Sequence, residues 1–383
     1  MKTTTAAPRK TTPARADKLN RLRDILLSPL YGAACGDALG TTLEFSTPNP
    51  RAWDSTDAYH HIDIVGAGPF RVTPGQITDD TMMACAAANA YAENGRFDPK
   101  AVATNYVAWR KVTFDIGGTT SGACSTHESG LRSGREYNPL TAVRTSEGNA
   151  ANGGLMRATP HAVFSFRNRR KVLRHAMWDA MLSHTSPLCC LSNAAYCVAI
   201  AKLLVLRERG MTTRAFLLTE ASKAAKWAAK EGAQMLLDRA EYSVSAISDA
   251  LAQVMTDLAF GEADDPCLYG EAGDRVCITG GSRGYVRVAF RMAWWEAFHA
   301  PSYKYGVIDC VNRGGDADTT GAIVGGLLGA LFGIGGTRGI PSKWVSRVHD
   351  AKTRQGGLLD TTFHPVVFDA FVDSILANPN RQR

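Results

Sequence analysis

Residues 312–321 read Asn-Arg-Gly-Gly-Asp-Ala-Asp-Thr-Thr-Gly and run straight into an uncharged stretch, Ala322 to Gly336. No other segment constrains the fold as tightly. Two carboxylates two residues apart, then hydroxyls, then Ala, Ile, Val, Leu and Gly describe a loop that presents ligands and enters a buried helix. Gly321, Gly325, Gly329 and Gly333 recur every four residues and so share one helix face. Each costs roughly 1 kcal/mol of helix propensity relative to Ala. The compensation expected is a close approach of other backbones along that face. The stretch is also the one transmembrane candidate, since a span needs about 18–20 apolar residues. Its glycines dilute the hydrophobicity and charges stand at its start, so it reads as a central helix of a globular protein, which GxxxG spacing suits equally well.

A chain of 383 residues, 45% hydrophobic and 21% charged, can bury a substantial core. The net charge is +7, yet within the first 23 residues Lys2, Arg9, Lys10, Arg15, Lys18, Arg21 and Arg23 face Asp17 alone. The body is therefore near neutral, which does not support a general nucleic-acid-binding surface. Nine cysteines are scattered, odd in number and without a CxxC pair, against a disulfide framework or a zinc site. No apolar secretory segment follows the basic N-terminus, and reduced thiols fit a cytoplasmic setting.

Residues 1–20, rich in Thr, Pro, Ala and basic side chains, read as a flexible basic arm ahead of a single domain over 21–383. A helical pattern starts at Asp17, with Leu19, Leu22, Ile25, Leu26 and Leu30 on one side, and leads to Gly32-Ala33-Ala34-Cys35-Gly36-Asp37-Ala38-Leu39-Gly40. Further helices are expected over Met82–Glu93, Pro99–Lys111, 169–183, 187–208, 213–238, 243–259 and Tyr285–Phe298, in a segment leading to Asn312, and over Pro365–Leu376. Ile116 to Gly154, rich in Gly, Ser, Thr and Asn, reads as loop with at most one short helix. Alternating strand patterns are nearly absent, so the fold class is all-α.

Three acidic clusters stand at the edges of apolar helices: Asp37 with Glu44, Thr78-Asp79-Asp80-Thr81, and Asp316-Ala317-Asp318-Thr319. Singly, each has an ordinary explanation, and Thr78 or Asp79 would cap the helix that follows. Adjacent carboxylates in one pocket repel and raise one another's pKa unless cations neutralise them. Carboxylate and hydroxyl oxygens are hard ligands, suited to Mg²⁺, Mn²⁺ or Ca²⁺ rather than zinc.

Five motifs occur in one order: Gly36-Asp37-Ala38-Leu39-Gly40 with Glu44-Phe45; Thr78-Asp79-Asp80-Thr81; Asn152-Gly153-Gly154-Leu155-Met156-Arg157; Ser183-His184; and Gly314-Gly315-Asp316-Ala317-Asp318-Thr319. In this the chain resembles the ADP-ribosylglycohydrolase family over about residues 24–377. The resemblance implies an orthogonal multi-helix bundle with a binuclear centre of two Mg²⁺ or Mn²⁺, ligated by Thr78, Asp79 and Asp80 on one side and by Asp316, Asp318 and Thr319 on the other. It implies hydrolysis of an N-glycosidic bond between ADP-ribose and a protein side chain, arginine first, with Glu44 and Asp316 as catalytic residues. Asp37 matches a structural position. The loop ending in Asn152, Gly153 and Gly154 would offer backbone N–H groups to a diphosphate, beside Met156. His184 would contact nucleotide or ribose, and Tyr285 would stack on adenine. Both also have structural readings, as a residue before a helix cap and as core. Cys189 and Cys190 read as core, and His60 and His61 receive no role.

The expected partner is an ADP-ribosylated protein, with no membrane and no nucleic acid. Some members of the family are immunity proteins, similar in carrying an N-terminal extension. The alternative expectation is thus that residues 1–20 bind and occlude an ADP-ribosylating toxin, with or without hydrolysis. The third reading is a degenerate, inactive relative or a related hydrolase of small ADP-ribose compounds, and the full set of ligand types speaks against the inactive relative.

Overall fold

A computed structural model describes residues 13–47, 60–266, 276, 278, 283–353 and 360–378. Within them lie fifteen α-helices: α1 Pro13–Gly40, α2 Asp79–Asn94, α3 Pro99–Trp109, α4 Gly118–Arg132, α5 Pro139–Ala142, α6 Thr159–Phe164, α7 Arg169–Met181, α8 Pro187–Glu208, α9 Arg214–Leu237, α10 Val244–Ala259, α11 Val286–His299, α12 Tyr303–Asn312, α13 Ala317–Phe332, α14 Ser342–His349 and α15 Val367–Ala377. No sheet forms among the described residues, only isolated bridges.

The glycine face of α13 lies against α1, antiparallel, with backbone touching backbone. A Cβ on Gly36 would stand 1.9 Å from Gly321 O, one on Gly325 2.2 Å from Gly32 O, and one on Gly329 2.2 Å from Ser28 O. Small residues spaced by four on α1 (Ser28, Gly32, Gly36, Gly40) thus mesh with small residues spaced by four on α13 (Ala317, Gly321, Gly325, Gly329). Close approach compensates the helix-propensity cost of the glycines through dispersion contacts that larger side chains would prevent. Helix α1 also carries Pro29, whose missing N–H leaves the Ile25 carbonyl open. Ser28 Oγ donates to that carbonyl at 2.8 Å, so the helix continues.

Helices α8, α11 and α12 pack around the pair, and α7 and α9 lie on α8. Among the described residues the helix long and apolar enough to cross a membrane is α8, not the 16-residue α13 singled out from the sequence; 89% of its most apolar window is buried inside the protein. Its apolarity is that of a central core helix, and Cys189 and Cys190 are fully buried in it. Every cysteine among the described residues is buried and unbridged.

Two expectations change. Helix α1 begins at Pro13 rather than Asp17, so the end of the expected arm is helical; residues 1–12 lie outside the described residues. Leu19 is exposed, and the buried face starts further along, from Ile25. The segment read as loop holds the fifteen-residue helix α4. Its buried face consists of Thr120, Ala123, Cys124 and His127, helically spaced but too small or polar to register as apolar periodicity.

Gly36→Ala should cost roughly 2 kcal/mol or more, because its methyl meets backbone that cannot rotate away. Gly122→Ala in α4, where a methyl meets nothing, should be neutral or stabilising by up to about 1 kcal/mol. Urea unfolding of the two variants checks the contrast.

Candidate active site

Because α1 and α13 are antiparallel, the C-terminal end of one meets the N-terminal end of the other. Chain leaving Gly40 turns through a short 3₁₀ segment, Thr41–Leu43, and brings Glu44 over the start of α13. Glu44 Oε2 accepts from the backbone N–H of Ala317 at 2.7 Å and of Asp318 at 3.3 Å, so a carboxylate from another segment caps this helix. The two loops are then tied together. Phe45, at φ 58°, donates its N–H to Gly315 O at 2.9 Å, and Gly315 N–H donates to Ser46 O at 3.2 Å. Gly314 and Gly315, at φ 72° and 78°, supply the left-handed backbone this pairing needs.

The start of α2 is built by the same device. Thr78 stands at the cap position, but neither it nor Asp79 caps the helix as expected, for Asp37 on α1 does so instead. The Asp37 carboxylate accepts from Thr78 N–H at 3.1 Å, Thr78 Oγ1 at 2.9 Å, Thr81 N–H at 3.2 Å and Thr81 Oγ1 at 2.5 Å. Burial pushes its pKa up to about 6 against these four donors. This is the structural position expected of Asp37, and it releases Asp79 and Asp80 from capping. Asp80 Oδ2 accepts from Thr78 Oγ1 at 3.0 Å and from Thr319 Oγ1 of α13 at 3.4 Å, joining the second and third acidic clusters. Asp80 Oδ1 is buried and has no hydrogen-bond partner.

Glu44, Asp79, Asp316, Asp318 and Thr319 line one cavity of about 340 Å³, together with Asn152, Gly153, Met156 and His184. Carboxylate oxygens of Glu44, Asp316 and Asp318 lie within 4.8 Å of one another. Burial and then Asp316 push Glu44 up to about 8. Burial, joined by Asp115 for Asp79, by Asp79 for Asp80 and by Glu44 for Asp318, raises those three well above the ordinary carboxylate range. Asp316 is also raised by burial, and Asn152 Nδ2 offsets this by donating to its Oδ2 at 2.8 Å. A buried oxygen without a partner, among carboxylates that suppress one another's ionisation, fits a hard divalent cation.

Opposite the acids, Asn152–Gly154 forms a 3₁₀ turn seated on His184; a Cβ on Gly153 would lie 2.9 Å from that ring. Beneath the turn Arg157 is fully buried. It donates to Gly153 O at 3.0 Å, to Asp179 Oδ2 at 2.9 Å and to Ser183 Oγ at 2.7 Å, and Ser183 Oγ pairs with His184 Nδ1 at 2.9 Å. The network continues through Asp179 and His161 to Tyr91, whose hydroxyl lies 3.1 Å from His175 Nδ1.

Four expected site residues do not line this cavity. Thr78 and Asp80 are fully buried, Asp80 against Thr78 and Thr319, Gly154 closes the turn with its α-carbon toward the His184 side chain, and Tyr285 faces an adjoining cleft of about 730 Å³ that shares Ala151 and Gly284 with the first. Conversely, the sequence reading passed over Asp115, Thr119 and Thr120, which do line it. Asp115 has no acidic neighbour in sequence and stands just ahead of the Gly/Thr segment taken for loop, so only its position before α4 could have flagged it. His61, given no role, is structural: its N–H donates to Asn312 Oδ1 at 2.9 Å and its ring bonds Leu39 O, pinning the ends of α12 and α1.

A solved structure described as an ADP-ribosylglycohydrolase-related protein complex shares the fold, with TM-score 0.61 and 24% identity over 93% of this chain and 99% of that one. The fold is therefore the all-α bundle of that structure. The chain belongs to the ADP-ribosylglycohydrolase family, whose model matches residues 18–372. It is 30% identical to the ADP-ribosylarginine hydrolase Tri1 of Pseudomonas putida (strain GB-1), over 88% of this chain and 76% of that protein. It is 29% identical to the ADP-ribosyl-[dinitrogen reductase] glycohydrolase of Rhodospirillum rubrum, over 85% and 91% respectively. The protein is an ADP-ribosylhydrolase, an enzyme that removes ADP-ribose.

Asp37→Ala strands buried N–H groups at the start of α2 and should cost roughly 3 kcal/mol, read by urea unfolding. His175 gives the pH dependence. Burial holds its pKa down to about 3 from 6.5, so as pH falls below 6.5 the unfolded chain takes up a proton that the folded chain refuses. Its contribution is whole above pH 6.5 and is lost downward at about 1.4 kcal/mol per pH unit. Wild-type stability relative to His175→Phe should therefore fall by about 1 kcal/mol between about pH 7 and 5.5.

Proposed function

We propose that the protein is a divalent-metal-dependent hydrolase that removes ADP-ribose from arginine side chains of modified proteins. The observation that carries this reading is the cluster of Glu44, Asp316 and Asp318 carboxylates on one cavity wall, with Asp79 beside them and the buried, unpartnered Asp80 Oδ1 in the adjacent acidic cluster. Asp79, Asp80, Asp316, Asp318 and Thr319 are the residues that would hold Mg²⁺ or Mn²⁺. Thr78 acts through Asp80, whose Oδ2 it steadies. Bound there, such ions orient sugar hydroxyls, lower the pKa of water and offset charge that develops at the bond being cut.

The chain's own groups divide the remaining work. Glu44 Oε2 is held by the α13 amides, which leaves Oε1 to pass a proton at the anomeric centre as it gains oxocarbenium character. Asn152 keeps Asp316 oriented. Its backbone N–H is committed to Gly284 O at 3.0 Å, so contacts to the diphosphate fall to its neighbours in the Asn149–Gly154 segment. His184, with its pKa held down to about 3 by burial, packs against the turn as a neutral ring. Tyr285 lines the adjoining cleft and would meet the adenine end of a ligand that extends from one cavity into the other. The arginine specificity follows the P. putida relative, which bears that activity in its name.

Incubation with arginine-, serine- and glutamate-linked ADP-ribosylated proteins, with and without EDTA, tests the reading. Release from the arginine linkage is expected, lost in EDTA and restored by Mg²⁺ or Mn²⁺. Asp80→Ala and Asp316→Ala should each lower turnover on the order of a hundredfold or more and weaken Mn²⁺ binding in calorimetry. Release that ignores EDTA would remove the metal from the proposal, and release from serine alone would remove arginine.

A further inference from the structure

At the end of α13 far from the carboxylates, a pocket of about 140 Å³ is lined by Arg207, Arg214 and Arg338 with Thr212, Leu217 and Phe332, and no lining residue is acidic. The three guanidinium groups come from different elements: Arg207 from the last turn of α8, Arg214 from the first position of α9, and Arg338 from the segment before α14. Sequence gives no hint of this convergence.

Arg207 is anchored from behind, donating to Ala330 O at 3.2 Å and Ser28 Oγ at 3.4 Å. Gly333, at φ 82°, makes room for it, since a Cβ there would fall 2.2 Å from Arg207 Nη2. Arg214 spends Nη2 on Ala297 O at 2.7 Å, while its Nε–H is buried with no hydrogen-bond partner. The guanidinium as a whole is half-buried over the Phe332 ring, and a buried donor atom left without a partner is costly. The backbone adds to the demand. Arg214 opens a 24-residue helix whose cap residue, Thr213, makes no side-chain capping bond, so the positive end of α9 is uncompensated.

The surrounding charges do not supply the missing anion. Arg21 adds to the positive field at Arg207. The acid nearest in effect to Arg214 is Glu296, fully buried and not among the lining residues, whose carboxyl is held well above its usual range by burial and by Asp309. Burial, then Arg21 for Arg207 and Arg338 for Arg214, pulls both guanidinium groups below their ordinary pKa, as expected of like charges gathered without a counterion.

We propose that this pocket is a binding site for a phosphate-class anion, gripped by Arg207, Arg214 and Arg338 at the N-terminus of α9. Its volume admits one phosphoryl group, and planar guanidinium forks match phosphate oxygens. The site is independent of the catalytic cavity, from which the length of α13 separates it.

Thermal unfolding of the full chain in inorganic phosphate, with ionic strength held constant by NaCl, tests the proposal. A saturable rise in Tm is expected, beyond any effect of chloride. Ribose 5-phosphate, run in parallel, distinguishes sources: saturation by phosphate alone assigns a free-ion site, and saturation by both assigns a phosphomonoester site. Arg338→Glu, at an exposed position, supplies the counter-charge itself and should abolish the saturable rise while leaving hydrolysis of ADP-ribosylated protein unchanged. Arg214→Gln should weaken phosphate at least tenfold. A wild-type Tm that does not saturate, or an equal rise in wild type and Arg338→Glu, would overturn the proposal.

Discussion

The contact on which the molecule depends is the backbone-to-backbone crossing of α1 and α13. Four small residues on each helix interlock at a spacing of four, so near that a methyl group at Gly36 or Gly325 would fall about 2 Å from a carbonyl oxygen of the other helix. That closeness fixes the register as well as the distance. Sliding one helix by a turn would still match small against small in the middle, but Glu44 would no longer reach the Ala317 and Asp318 amides, nor Phe45 the Gly315 carbonyl. The glycines and the acidic ends are thus parts of one device, in which packing sets the register and the register sets the site.

The acids are held by backbone donors from outside their own segments. Glu44 caps α13 and Asp37 caps α2, and in each case the helix that receives the cap presents ligand-type oxygens of its own to the cavity. A helix capped by its own first residue would have spent that carboxylate on the cap. The arrangement concentrates Glu44, Asp79, Asp80, Asp316 and Asp318 in a volume where burial and mutual repulsion oppose their ionisation. Function at such a site costs stability, and the surrounding core of α8, α11 and α12 offsets it.

Much of this was legible in sequence because its signals are local. The four-residue glycine spacing announced the close helix pair, the helices expected from Pro99 and from 187 start there as α3 and α8, and the acidic clusters announced the cavity wall. What stayed hidden depends on tertiary contact. Asp37 as the cap of α2 requires knowing that α1 lies 41 residues away in sequence but adjacent in space. Helix α4 buries Thr, Ala, Cys and His, so its core-facing stripe has no apolar contrast. Asp115 and the arginines at the far end of α13 are ordinary residues until the fold gathers them. That Thr78 acts through Asp80, and that Tyr285 lines the adjoining cleft, likewise depends on contacts that sequence neighbourhood does not show.

The borrowed cap at Asp37 has a bearing on assembly. Alone, α2 lacks an N-terminal partner for its first amides, so it gains its full stability only after α1 has docked. Since α1 docks against α13, a chain caught midway, with α13 still unpacked, would hold its acids scattered and solvated. Such an intermediate would have little grip on divalent ions, and the ability to capture them would arise together with the native state rather than ahead of it.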